Sequence, residues 1–299
     1  MSVFQERTEQ RVLTMGAGGG ALIPTNLDDG LYIDRLRAAL VIRQLGARMI
    51  SGLVGNLDIP RLTTSATSGW VAENSALTFA DAAFDKVSLR PKHAGCISEL
   101  SRNMLMQDSP DIELLIRNDF ARVLAQTLDI AAIAGTGTSN QPTGILNTSG
   151  IGSVALGANG GSLAYGNVVD LMGQLQDQNA EAGAIAFLSN PKVRREAVKI
   201  LDSMNRPLGE DVVFQNTQRR FATNVPSNLT KGTGTGLSAL IYGDWSDLLI
   251  GMWSELDILV NPYESVAYSK GNVQVRAMMT VDIEVRHPQS FAAITDIVA

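Results

Sequence analysis

Segments with helical and strand periodicity are interleaved along this 299-residue chain, and that alternation predicts an α+β or mixed α/β fold. Two further observations give the fold its expected outline. One is a long amphipathic helical pattern over residues 111–134; the other is a stretch of small and polar residues, Thr63 to Asp85, lying between two strand patterns.

The elements follow in order. Residues 1–20 are polar and end in Gly16-Ala17-Gly18-Gly19-Gly20, a composition that offers little apolar surface to offset its ordering entropy, so it reads as an extended arm. Thr25 or Asn26 can cap a short helix carrying Leu27, Leu31, Ile33, Leu36 and Leu40. Val41 to Ile50 and Val54 to Leu62 are β-branched and bounded by glycine and proline, hence strands. The polar stretch that follows is too long for a tight hairpin, and with the alternating Lys86 to Ile97 it predicts a two-stranded projection reaching away from the body.

Ser109-Pro110-Asp111 is a helix start, with a cap, a proline at the first position and an acid in the first turn. Ile112, Ile116, Phe120, Val123, Leu124, Thr127 and Ala131 then mark one helical face up to the stop at Gly135. At 1.5 Å per residue this is a rod of ~36 Å, long enough to act as a spine. A second helix is expected at 165–182, a buried strand at 184–188, a third helix at 192–204, a strand at 237–242 and a helical turn at 246–250. Strands at 255–260, 273–287 and 291–297 close the chain.

Composition narrows the function. Hydrophobic residues make up 45% and can fill a core, while charged residues reach only 18%, below the ~25% typical of soluble domains, which suggests a surface largely covered by something. The 24 basic and 30 acidic residues leave a net charge of −6, which disfavours an electrostatically driven nucleic-acid binder. A single cysteine, Cys96, cannot form an intrachain disulfide, and the two histidines, His93 and His287, have no metal-ligand spacing. No metal, cofactor or catalytic residue is expected, and no apolar run is long enough to predict a membrane span.

Each candidate site has a plainer reading. Gly135-Thr136-Gly137-Thr138 and the run Lys231 to Gly236 lack the lysine and following helix of a phosphate loop, so both read as connections. His93, Ser98 and Asp85 have the residue types of a nucleophilic triad, but no nucleophile elbow surrounds any serine. Asp28-Asp29 fits a helix N-terminus. Lys192, Arg194, Arg195 and Lys199, with Arg219-Arg220, form a basic cluster that Glu196 and Asp202 dilute. Met104, Met106, Met278 and Met279 read as core filling.

Gly69-Trp70-Val71-Ala72-Glu73, then Phe84-x-x-Val87 and Ile97-Ser98-Glu99-Leu100-Ser101, resemble the major capsid proteins of tailed bacteriophages with the Hong Kong 97 fold. The same order continues through Gly135-Thr136-Gly137, Gln141-Pro142-Thr143-Gly144-Ile145-Leu146, Phe187-Leu188-Ser189-Asn190-Pro191, Pro207-Leu208, Gly243-Asp244-Trp245, Val275-Arg276-Ala277 with Val281-Asp282, and Phe291-Ala292-Ala293-Ile294. The resemblance covers about residues 21–299.

What the resemblance implies is an N-terminal arm at 1–24, a helix and strand at 25–53, an extended loop at 54–92, a peripheral domain with its spine helix at 93–135, an axial domain at 136–254 and return strands of the peripheral domain at 255–299. It implies a non-enzymatic shell subunit assembling with itself into hexamers and pentamers around double-stranded DNA, with procapsid expansion on maturation. Implied partners are a scaffolding protein, a portal and possible decoration proteins; the implied location is the virion, assembled in the bacterial host cytoplasm. Inter-subunit contacts are expected from Arg7, Arg11, Arg61, Trp70, Glu73, Lys86 and Arg90. Some members carry a lysine-to-asparagine crosslink; Lys86, Lys92 and Asn272 are in the corresponding regions, but Arg276 to Val281 contains no glutamate, so none is expected. An encapsulin compartment is the alternative of the same fold, and a hydrolase using a histidine is the remote one.

Overall fold

The computed structural model describes residues 41–76, 81–101, 112–263 and 265–299. Arg7, Arg11, Asp28-Asp29, the helix expected after Thr25, the helix start at Ser109-Pro110-Asp111 and both Met104 and Met106 lie outside the described residues. In chain order the elements are α1 (Ile42–Leu45), β1 (Arg48–Ile50), β2 (Leu57–Thr64), β3 (Ala83–Leu89), β4 (Lys92–Leu100), α2 (Ile112–Ala134), β5 (Gly152–Ser153), α3 (Tyr165–Asp177), β6 (Ile185–Ser189), α4 (Pro191–Val198), α5 (Glu210–Val213), β7 (Arg219–Phe221), β8 (Leu229–Lys231), β9 (Gly234–Asp244), β10 (Leu248–Asn261), α6 (Ser265–Lys270), β11 (Val273–Val285) and β12 (Phe291–Ile297).

Three sheets organise these elements: a four-stranded sheet in the order β1-β10-β11-β4, a six-stranded sheet running β5-β12-β9-β6-β7 with β8 paired to β9, and the isolated ribbon β2-β3. The spine helix α2 lies on one face of the four-stranded sheet, where Phe120 and Leu124 pack on Val275, Ala277, Met279 and Val281. Period-two alternation on β11 explains why these odd-numbered residues share the helix-facing side.

Both faces of the six-stranded sheet are buried. Ala186, Leu188, Ala239, Ile241 and Ala293 point into a core shared with α1 and the end of α2. Their neighbours Phe187, Leu240, Tyr242, Ala292 and Ile294 point the other way, into a core closed by α3 and α4. Runs such as Leu237 to Tyr242 are therefore apolar throughout rather than alternating. The fully buried Trp245 joins the first core edge-on to Phe291, at a centroid distance of 5.6 Å, and its indole N–H donates to the Ala186 carbonyl at 3.0 Å.

At the end of the spine helix the chain crosses itself backbone to backbone. A Cβ at Gly144 would sit 2.4 Å from the Gly135 nitrogen and 2.7 Å from the Ala131 oxygen, so only glycine lets the Gly144 N–H reach the Gly135 carbonyl at 2.9 Å. The Gly135 to Gly144 segment is thus a tight reversal locked by the Thr136–Thr143 bridge, not a slack connection.

Several expected boundaries move. The strand expected from Val41 becomes α1, because buried Asp129 on the spine helix accepts the Val41 backbone N–H at 2.8 Å, and Gly46 in a left-handed conformation ends the turn before β1 begins. The stretch Lys86 to Ile97 is two strands, since the Arg90-Pro91 break redirects the chain from the ribbon into the four-stranded sheet. Helix α3 stops at Asp177 ahead of Asn179, which has positive φ, and α4 stops at Val198, short of the Asn205 turn closed by Asp202. After a single 3₁₀ turn at Trp245–Asp247, Leu248 to Ile250 is strand rather than helix, being the start of the fourteen-residue β10. Lys231 to Gly236 is part of a tight hairpin, with Gly232 at positive φ between β8 and β9.

Candidate functional site

No nucleophilic site assembles from the residues named for one. His93 and Ser98 lie on opposite faces of β4 and, five residues apart on a strand, are separated by ~16 Å. Asp85 belongs to the ribbon, where the Arg61 guanidinium holds it at 2.9 Å, and His93 shares a 2.9 Å hydrogen bond with Thr280. Among the described residues, no group of three or more His, Cys, Asp or Glu could hold a metal ion, and no helix is long and apolar enough to cross a membrane. The basic cluster is partly neutralised from within: Arg194 and Arg219 share Glu210, and Arg219 also reaches Asp211. Glu210 keeps its carboxyl below the ordinary range through these two guanidiniums, against the desolvation that would raise it.

The ribbon is the region with the least internal support. At its root Leu57, Ile59, Val87 and Leu89 turn toward the body, and Leu89 approaches Gly251 so closely that a Cβ there would meet it at 3.4 Å and Leu53 at 3.0 Å. Beyond the root nearly everything is exposed. Leu62 is half-exposed, Phe84 is 72% exposed, and Trp70 stands fully in solvent with Val71 and Glu73 beside it. An indole carries a large apolar payload, and no described residue covers this one.

The charged candidates divide. Arg61 donates to the Arg286 carbonyl at 3.0 Å as well as to Asp85, Lys86 pairs with Asp58 at 2.9 Å, and Arg90 pairs with the other Asp58 oxygen at 2.9 Å. These cross-strand pairs hold the carboxyls of Asp58 and Asp85 below the usual range, chiefly through hydrogen bonds from Lys86: its ammonium for Asp58 and its backbone N–H for Asp85. Lys86 and Arg90 therefore brace the ribbon internally, Arg61 braces it and also ties it to the body at Arg286, and among the described residues nothing engages Trp70 and Glu73 at its tip.

The ribbon joins the body at a cluster that sequence reasoning missed. Asp282, 1% exposed on β11, accepts the Arg90 backbone N–H at 2.8 Å, the Lys92 ammonium at 2.8 Å and the Ile283 N–H at 2.9 Å. Two residues on, burial and the Asp282 charge push the Glu284 carboxyl up to about 7, with Lys92 opposing the rise. The D-x-E spacing on an otherwise apolar strand was the available signal. A second buried acid, Asp296, draws the C-terminal strand, the Leu156-Gly157 backbone and Lys231 together, with its Lys231 contact at 2.7 Å.

The crosslinking candidates are placed apart. Lys92 is held by Asp282, and the Asn272 amide donates to Glu99 on β4, so a glutamate does stand beside Asn272, supplied by a different strand from the segment 276–281. No lysine occurs between Thr63 and Ala82, the stretch that joins the two strands of the ribbon.

Comparison with known proteins bears on what such a body with a bare ribbon is. The chain is 27% identical to the major capsid protein of Halomonas phage phiHAP-1 over 274 residues, covering 92% of this chain and 43% of that protein, so it spans less than half the length of this relative. It is 23% identical to the major capsid protein of Klebsiella oxytoca phage phiKO2, covering 96% of this chain and 70% of that one. Among solved structures, the capsid of a native GTA particle superposes with a TM-score of 0.79 at 22% identity, covering 97% of this chain and all of that one. The structure from Gordonia phage Cozz gives a TM-score of 0.73 at 18% identity over 100% of this chain and 99% of that one. These likenesses give the α+β Hong Kong 97-type fold and do not favour the encapsulin alternative. A profile described as the phage capsid family matches residues 19–296, and with nearly the whole chain inside that match, the chain belongs to the phage capsid family.

Proposed function

We propose that many copies of this chain assemble into hexamers and pentamers that close into a shell around double-stranded DNA, and that the protein carries out no catalysis. The observation that carries this reading is the exposed ribbon: a soluble monomer does not usefully display a bare tryptophan on a projection, but a subunit that lays that projection across a neighbour does. On this reading the ribbon of β2 and β3 is the extended loop, α2 with β4, β10 and β11 the peripheral domain, and the six-stranded sheet with α3 and α4 the axial domain, which moves β12 out of the return strands expected at 255–299 and Leu248 to Ser254 out of the axial segment expected at 136–254. The acidic net charge suits a container that holds DNA without gluing to it. Scaffolding, portal and decoration partners, placement in the virion after assembly in the host cytoplasm, and expansion by rigid-body rotation of the domains belong to the same reading.

Electron microscopy of the expressed chain, alone and with a scaffolding protein, is the test. Closed particles with capsomers are expected, and a monodisperse monomer at every concentration and salt would overturn the reading. Boiled denaturing gels of the particles should show one monomer band, because the far end of the ribbon supplies no lysine; a ladder of oligomers would contradict this.

A further inference from the structure

The four-stranded sheet carries its spine helix on one face only. On the opposite face the ribbon root covers the end near Asp282, and no described residue covers the other end. There, three directly paired residues form a row across three strands: Ile97 on β4, Arg276 on β11 and Leu259 on β10. Ile97 is 62% and Leu259 49% exposed, and with Val260, Pro262, Tyr263 and Arg276 they line a groove of about 360 Å³. Among the described residues no carboxylate engages Arg276.

We propose that this groove receives the ribbon tip of a second copy of the chain, with the Trp70 indole against Ile97, Leu259 and Tyr263, and the Glu73 carboxylate on Arg276. The inference rests on the self-assembly reading and names the surface that completes it. Charge and shape select the pair. Glu73 lies three residues after Trp70 and likewise has no partner among the described residues, so within them tip and groove are each an apolar element with one uncompensated charge of opposite sign. An aromatic ring beside a guanidinium adds a cation–π contribution.

The other two apolar hollows fit less well. In the one beside Pro142 and Met279, the lysine Lys92 is already spent on Asp282. The one lined by Ile42, Met49 and Leu128 offers Arg43 but sets Asp129 beside it, so an incoming Glu73 would meet an acid as well as a base there, whereas the lining of the Arg276 groove contains no acid. Trp70 cannot fill the groove of its own chain while it stands fully in solvent, so the occupant comes from a neighbour.

A charge swap in the full-length chain tests the pairing. Glu73→Arg and Arg276→Glu should each lower the assembled fraction about tenfold at a fixed chain concentration, and the double variant should recover to within about threefold of wild type. Circular dichroism and melting of the unassembled variants should match wild type, which separates a lost contact from a lost fold. As a second measurement, a photoreactive benzophenone side chain at position 70 in assembled particles should link to the peptide containing residues 259–263 of another copy. Links to a different peptide, or single variants that assemble like wild type, would overturn the groove assignment while leaving the shell reading standing. If the wild-type chain forms no particles under any of these conditions, the shell reading fails and this inference fails with it.

Discussion

The six-stranded sheet and the ribbon are both β-structure, yet they are built on opposite principles. Every strand at the centre of the sheet is buried on both faces, so Phe187 and Leu188, adjacent in sequence, serve two different cores. The ribbon buries only its root and spends its charged residues on bracing itself through Asp58, Asp85, Arg61, Lys86 and Arg90. The sheet's stability is complete within one chain, while the ribbon's apolar outer half has no in-chain reason to be apolar. A contrast of this kind separates residues that make the fold from residues reserved for a neighbour, and each change below bears on that line.

The largest effect on the fold side is expected at the backbone crossing after the spine helix. Gly144→Ala places a methyl 2.4 Å from the Gly135 nitrogen, with backbone rather than a flexible side chain to displace, so a loss of at least ~3 kcal/mol in denaturant unfolding is expected. Next is Asp282→Ala, which strands the Lys92 ammonium and the Arg90 N–H at the ribbon root. Because Lys92 keeps partial solvent access, ~3 kcal/mol, the low end of the range for broken buried pairs, is expected in the same experiment.

Glu284 gives a smaller, pH-dependent effect. Its carboxyl is raised to about 7 in the folded chain against 4.5 unfolded, so the folded state holds the proton more tightly between those values and stability falls as pH rises from about 4.5 to 7. Glu284→Gln should remove that slope, leaving the variant more stable than wild type at pH 8 by up to ~1–2 kcal/mol after allowance for solvent screening. Parallel slopes in melting profiles from pH 5 to 8 would show that this carboxyl is not the source. At the far end of the scale, Trp70→Ala should leave monomer unfolding within ~0.5 kcal/mol of wild type while reducing particle yield. If it unfolds the monomer instead, the ribbon is part of the fold and the contrast between the two regions collapses.

Periodicity made the spine helix, β9, β11 and β12 legible in the sequence, because each is long and its apolar pattern is set by burial that the chain itself supplies. Short elements were misread where a distant residue decides the local structure. Val41 to Leu45 has the composition of a strand and becomes helix because Asp129, 88 residues away, caps it. Leu248 to Ile250 looked like a continuation of a turn and is strand because β1 and β11 pair on either side of it. For the contacts between copies, exposure was the missing quantity. Arg61, Lys86 and Arg90 were as conspicuous in the sequence as Trp70 and Glu73, and only the cross-strand ion pairs show that the first three are already committed. Ile97 and Leu259 carried no sequence signal at all, since an apolar residue in a strand is by default read as core.

The place of β12 bears on how the chain is made. Although it comes last of the described elements, it lies inside the six-stranded sheet between β5 and β9, with Asp296 fastened to Leu156 and Lys231 from much earlier in the chain. Neither core of the six-stranded sheet can close until residue 297 has emerged from the ribosome, and a nascent chain stopped short of that leaves β9 with an open edge. The four-stranded sheet that carries the groove is complete at Val285, so the order of synthesis holds the β9 edge of the six-stranded sheet open after the groove has formed.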